Sequence, residues 1–90
     1  MPFNDEADAI ALANATAYGL LAAVWTENAD RLHRVAKAVK AGQVFMNCYS
    51  AGGGVELPLG GTKRSGHGRE KGLLPLEEMS TTKTLVHHHA

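Results

Sequence analysis

Three groups of residues in this chain carry side chains that could do chemistry. They are a single thiol at Cys48, a Ser–His–Glu grouping at Ser65, His67 and Glu70, and a run of imidazoles at His87, His88 and His89. A cysteine attacks as its thiolate, which needs an electropositive, partly exposed setting such as a helix N-terminus. Cys48 instead ends an apolar run with no His nearby in sequence, so it reads as a small core residue. Ser65 and His67 have only Glu70 to orient them, and Arg69 competes for that carboxylate. On an extended segment, neighbouring side chains point to opposite faces, so His87, His88 and His89 do not converge on one ion. They read as a polar strand end; His33 and His67 are isolated.

Residues 51–72 contain eight glycines and Pro58, with no apolar period. Gly60-Gly61-Thr62-Lys63 has the wrong order for a phosphate-binding P-loop. Gly66, Gly68 and Gly72 have one spacer too many for a dinucleotide fingerprint and follow a loop rather than a first strand. Two readings of the segment stay open. Its backbone groups could bind ions or line a tunnel, or the glycines could simply permit tight turns in a connector.

The elements that must position these residues are legible in outline. Asn4 as N-cap, with Asp5 and Glu6 behind it, predicts a helix to about Asn14. Leu20–Thr26 is a continuous apolar run that fits a strand covered on both faces. Asn28 caps a second helix expected to reach Lys40 or Ala41, with Leu32, Val35, Ala36 and Val39 on one stripe. Arg31, Arg34, Lys37 and Lys40 fall opposite, as a solvated face. Gln43–Cys48 reads as a short strand, completing a βαβ unit with parallel strands. After the glycine-rich loop, a short helix from about Leu74, set by Pro75, precedes a terminal strand over Thr81–His87. Two apolar parallel strands need cover on both faces and neighbours at both edges. Two short helices cannot supply that, so the chain reads as part of a larger α/β sheet.

Composition removes several function classes. With nine Lys+Arg against nine Asp+Glu, the formal net charge is zero. No long-range field draws in nucleic acid or an anionic membrane. The apolar stretch Gly19–Trp25 is too short to span a bilayer, and one cysteine favours a reducing cytoplasm. Hydrophobic residues make up 44% of the chain, too many for a disordered tail. No repeat of 20 residues or more is visible. Met1 is compatible with a start inside a longer reading frame.

Read in order, these segments resemble the final part of the NAD(P)-dependent aldehyde dehydrogenases, over about residues 2–86. The resemblance rests on Asp5-Glu6-Ala7, Ala13-Asn14, Tyr18-Gly19-Leu20, Val24-Trp25-Thr26 and Ala41-Gly42 leading to Asn47. It continues through Pro58, Gly60-Gly61, Lys63, Ser65-Gly66, Gly68-Arg69-Glu70 and Lys83-Thr84. It implies oxidation of an aldehyde to a carboxylic acid by a cysteine nucleophile, with NAD or NADP as hydride acceptor. The nucleophile, the general-base Glu and the cofactor domain would all lie upstream, so this chain alone would bind no cofactor and turn nothing over.

By position, residues 1–72 would be the last part of the catalytic domain, and 73–90 a short helix and oligomerisation-arm strand. Asn47, Tyr49, Ser50 and Leu59 would line the substrate entrance, and Glu70 would be a proton relay. The Lys63 and Gly66 carbonyls would match a monovalent-cation site. Arg69, Thr82, Thr84 and Val86 would serve subunit contacts. The partners implied are the remainder of the enzyme or identical subunits. Leu59 stands where the family usually has Phe, and Leu74 and Pro75 replace helix-friendly residues. A second reading is a free-standing small protein that self-associates through its terminal strand.

Overall fold

A computed structural model describes residues 1–49 and 54–88. Helix α1 (Glu6–Asn14) opens on Asp5, whose carboxylate accepts the Asp8 N–H at 2.8 Å while Asp8 accepts the Asn4 N–H at 3.0 Å. The cap is therefore one residue later than Asn4, because Asp5 is the extended residue that aims an oxygen back into the first turn. Strands β1 (Tyr18–Gly19) and β2 (Leu21–Val24) follow, then helix α2 (Ala29–Ala38). Asn28 caps α2 through the Arg31 N–H at 2.9 Å. Val39 already has ψ 126°, so α2 stops short of the expected Lys40.

Strand β3 (Gln43–Met46) runs parallel to β2 with Leu21 opposite Gln43 and Val24 opposite Met46. This β2–α2–β3 unit is the one expected from the sequence, with both strands trimmed. Cys48 lies outside β3 and is exposed, which corrects its reading as a core residue. The strand ends before it because Asn47 turns into the left-handed region with φ 55°. Strand β4 (Thr62–Lys63), inside the glycine-rich segment, pairs antiparallel with β1, and helix α3 (Leu74–Glu78) comes last.

The terminal strand expected over Thr81–His87 is not formed: residues 80–88 carry neither strand nor helix and are exposed. A strand needs a ladder partner, and no strand among the described residues lies alongside these residues.

α1 packs on α2, and α2 covers one face of the β2–β3 pair. Glu6 of α1 fixes this contact, accepting from Arg34 Nε and Nη2 at 2.8 Å each, with Arg31 Nε at 3.4 Å. Two of the four cations expected to be merely solvated thus have a defined partner. The Arg34 hydrogen bonds hold the Glu6 carboxyl below the ordinary carboxylate value, and Arg34 is raised in turn.

What the layers do not do is enclose a core. No hydrophobic side chain among the described residues is buried, and Trp25 at the end of β2 is 66% exposed. The accessible surface is 7147 Å². A compact monomer of this mass would expose about 5,000 Å². The radius of gyration is 18.5 Å, against about 12 Å for a compact domain of this length.

Candidate functional site

The glycine-rich segment makes two short pairings, one with the start of the chain and one within itself. In the first, β4 lies against β1, with Tyr18 opposite Lys63 and Gly19 opposite Thr62. The Arg64 N–H extends it to the Ala17 carbonyl at 2.9 Å, and the Ser65 hydroxyl oxygen accepts the Gly19 N–H at 2.9 Å. In the second, Leu59 and Glu70 form an isolated antiparallel bridge, with the Leu59 N–H donating to Glu70 O at 2.8 Å. The Leu59–Glu70 bridge closes residues 59–70 into a loop, and the β1–β4 pair ties that loop to the start of the chain.

Side chains lock the loop at its mouth and ends. Arg69 Nη1 donates to the carbonyls of Gly68 at 2.8 Å, Gly61 at 3.0 Å and His67 at 3.4 Å. The Arg69 N–H donates to Glu78 at 2.7 Å, which ties α3 to the loop. Gln43 of β3 donates to the Pro58 carbonyl at 2.7 Å. Lys63, itself left-handed at φ 55°, reaches back to the carbonyls of Asn14 and Thr16 at 2.9 and 3.1 Å. Its charge thereby sits at the C-terminus of α1, which has no basic residue in its own last turn. Asn14 bridges the ends of both helices, donating to Ala38 O at 2.9 Å and accepting the Lys40 N–H at 2.8 Å.

Close backbone approach explains two of the glycines. A Cβ on Gly42 would overlap the Gly60 carbonyl, and one on Gly19 would meet Thr62 Oγ1 and stand 2.8 Å from Lys40 O. At both places main chain packs on main chain.

The loop borders an open cleft of about 470 Å³ lined by Leu20, Leu59, Ser65, His67, Arg69, Glu70 and Glu78. Of the residues singled out from the sequence, Leu59, Ser65, His67, Arg69 and Glu70 come together here. Glu70 is exposed, and its carboxylate has no hydrogen-bond or ion-pair partner among the described residues. Ser65, His67 and Glu70 form no relay: no hydrogen bond joins them, and the Ser65 oxygen faces Gly19. The Lys63 carbonyl accepts the Gly66 N–H at 3.3 Å within a turn. No group of three or more His, Cys, Asp or Glu among the described residues could hold a metal ion. Gly66, Gly68 and Gly72 lead through bends rather than directly into a helix, so they do not fit a dinucleotide phosphate.

The other candidates lie elsewhere. Asn47 sits at the end of β3, with its side-chain amide on the main chain of Thr26. Tyr49 is exposed, edge-on to Phe45 with ring centroids 5.8 Å apart. Ser50 is outside the described residues. Thr82, Thr84 and Val86 are on the exposed tail, Val86 at 90%. The anchors Asn14 and Gln43 were not visible as such in the sequence, where Asn14 read as a helix stop and Gln43 as a strand start. No helix among the described residues is long and apolar enough to cross a membrane.

Comparison with known proteins places this architecture. Residues 1–85 match the aldehyde dehydrogenase family. The chain is similar to the NADP/NAD-dependent aldehyde dehydrogenase PuuC of Escherichia coli, 47% identical over 83 residues, covering 92% of this chain and 17% of that protein. Among solved structures it is similar to the aldehyde dehydrogenase KauB from Pseudomonas aeruginosa, with a TM-score of 0.82 and 46% identity, over 87% of this chain and 16% of that one. It is also similar to a P. syringae indole-3-acetaldehyde dehydrogenase solved in complex with NAD+, with a TM-score of 0.80 and 46% identity, over 84% and 15%. The chain spans about one-sixth of the length of the curated relatives it matches.

Proposed function

The chain belongs to the aldehyde dehydrogenase family, and we propose that it is the C-terminal segment of such an enzyme, acting only with the remainder. The observation that carries the reading as a segment is a match running along nearly the whole chain but covering only 17% of the E. coli relative; its place at the C-terminal end rests on the order of the motifs. The absence of a buried hydrophobic among the described residues supports it: the uncovered faces of β2 and β3 need neighbours this segment does not contain. The alternative of a self-associating small protein gains no support from relatives several times longer.

In the complete enzyme, the segment supplies walls and contacts rather than the nucleophile. By the family resemblance, Asn47, Tyr49, Ser50 and Leu59 line the aldehyde entrance. Glu70, exposed at the cleft, is the proton relay the resemblance implies. A monovalent cation would be held by the Lys63 and Gly66 carbonyls. Arg69 supports a subunit contact by holding its loop shut, and Thr82, Thr84 and Val86 pair with a strand from an identical subunit. NAD or NADP is held by the remainder, since the glycines here do not fit it. The single cysteine favours a reducing compartment such as the cytoplasm.

The test is turnover. Purified chain supplied with aldehydes and NAD(P)+ is expected to produce no NAD(P)H. Production of NAD(P)H by the chain alone would overturn the assignment.

A further inference from the structure

We propose that Asn47 is a positioning residue that extends the β2–β3 ladder by one rung made from its side chain, and so fixes the direction in which the chain leaves β3. The regular ladder ends with Val24 opposite Met46. One residue on, the Asn47 N–H still donates to Val24 O at 2.8 Å, but its backbone has turned to φ 55°. Its main chain then diverges, and its side-chain amide takes over. Oδ1 accepts the Thr26 N–H at 2.9 Å and Nδ2 donates to Thr26 O at 3.0 Å. A carboxamide has the donor and acceptor of a peptide group, so it satisfies both polar groups of Thr26 as a neighbouring strand would. Thr26 is in turn the entry to α2, because its hydroxyl accepts the Asn28 N–H at 3.2 Å ahead of the Asn28 cap. One side chain therefore joins the end of β2, the start of α2 and the exit of β3.

Two separate demands converge on this residue. It must tolerate the left-handed region, which Gly and Asn do more readily than most, and it must present a peptide-like side chain. Aspartate keeps the acceptor and loses the donor. Glycine keeps the backbone freedom and loses the whole rung, and alanine loses both. The inference deepens the assignment above, and rests on it, only in its last link: that the chain leaving Asn47 towards Tyr49 borders the aldehyde entrance.

The experiment uses this chain joined to the remainder of the E. coli relative, in place of the segment it matches. Hydrogen exchange is followed by mass spectrometry on peptides containing Thr26 and Asn47–Tyr49, for Asn47 and for Asn47→Asp, Asn47→Gly and Asn47→Ala. Both peptides are expected to exchange about tenfold faster in Asn47→Ala and Asn47→Gly, with Asn47→Asp between these and the parent. A peptide from α1 should be unchanged in each variant, which shows that the variant is folded. Parent-like protection of Thr26 in folded Asn47→Gly would overturn the proposal, because backbone freedom alone would then suffice. Steady-state kinetics test the last link separately: KM for the aldehyde should rise several-fold in Asn47→Gly while KM for NAD(P)+ stays unchanged. Faster exchange with an unaltered aldehyde KM would uphold the rung and overturn the assignment of this wall to the substrate entrance.

Discussion

A methyl group added at Gly42 would have to displace the Gly60 carbonyl, and main chain cannot yield as the tip of a long side chain can. Gly42→Ala in the joined enzyme is therefore expected to cost about 2–4 kcal/mol, read as a lowered denaturation midpoint with an unchanged slope. Arg69 is a different case: its guanidinium holds three carbonyls of its own loop. Arg69→Ala should cost about 1–3 kcal/mol and speed exchange across residues 59–70. The sequence displayed the glycines plainly but not their reasons, because a close approach between Gly42 and Gly60 depends on how segments far apart in the chain meet. Cys48 shows the same limit. Its apolar neighbours suggested burial, whereas the left-handed turn at Asn47, which no local pattern announces, leaves it exposed.

At the scale of elements, periodicity and capping carried most of the information. The apolar stripe of α2, its Asn28 cap and two flanking apolar runs were sufficient for a parallel β2–α2–β3 unit. The β1–β4 pair escaped notice because two-residue strands leave no period to read. The contact between α1 and α2 also escaped, since Arg31 and Arg34 resemble any solvated stripe until Glu6 is placed opposite them. That contact predicts a pH dependence. Arg34 depresses the Glu6 carboxyl, so its stabilising contribution is present above the ordinary carboxylate range and is lost as pH falls through the lowered folded value. The melting-temperature gap between the joined enzyme and its Glu6→Gln variant should be open at neutral pH and close as pH drops below the ordinary carboxylate range. A gap that persists in acid would mean that packing rather than charge makes the contact.

For the whole molecule, surface decides the matter. The exposed area exceeds that of a compact monomer by about 2,000 Å², and the exposed residues include Trp25, Leu76, Met79, Leu85 and Val86. The same shortfall was legible in the sequence as two apolar strands with too little to cover them. The terminal strand over Thr81–His87 is a related case: its β-branched residues state a propensity, and without a ladder partner they do not form a strand. The isolated chain is accordingly expected to melt without a sharp cooperative transition by circular dichroism, and limited proteolysis should remove residues 80–88 first.

The most direct measurement of the central claim compares NAD(P)H formation in three samples: this chain alone, the remainder of the E. coli relative alone, and the two combined. No turnover is expected from either part alone, and turnover is expected when they are combined. Turnover by the 90-residue chain alone, or by the remainder to the same extent without it, would contradict the account.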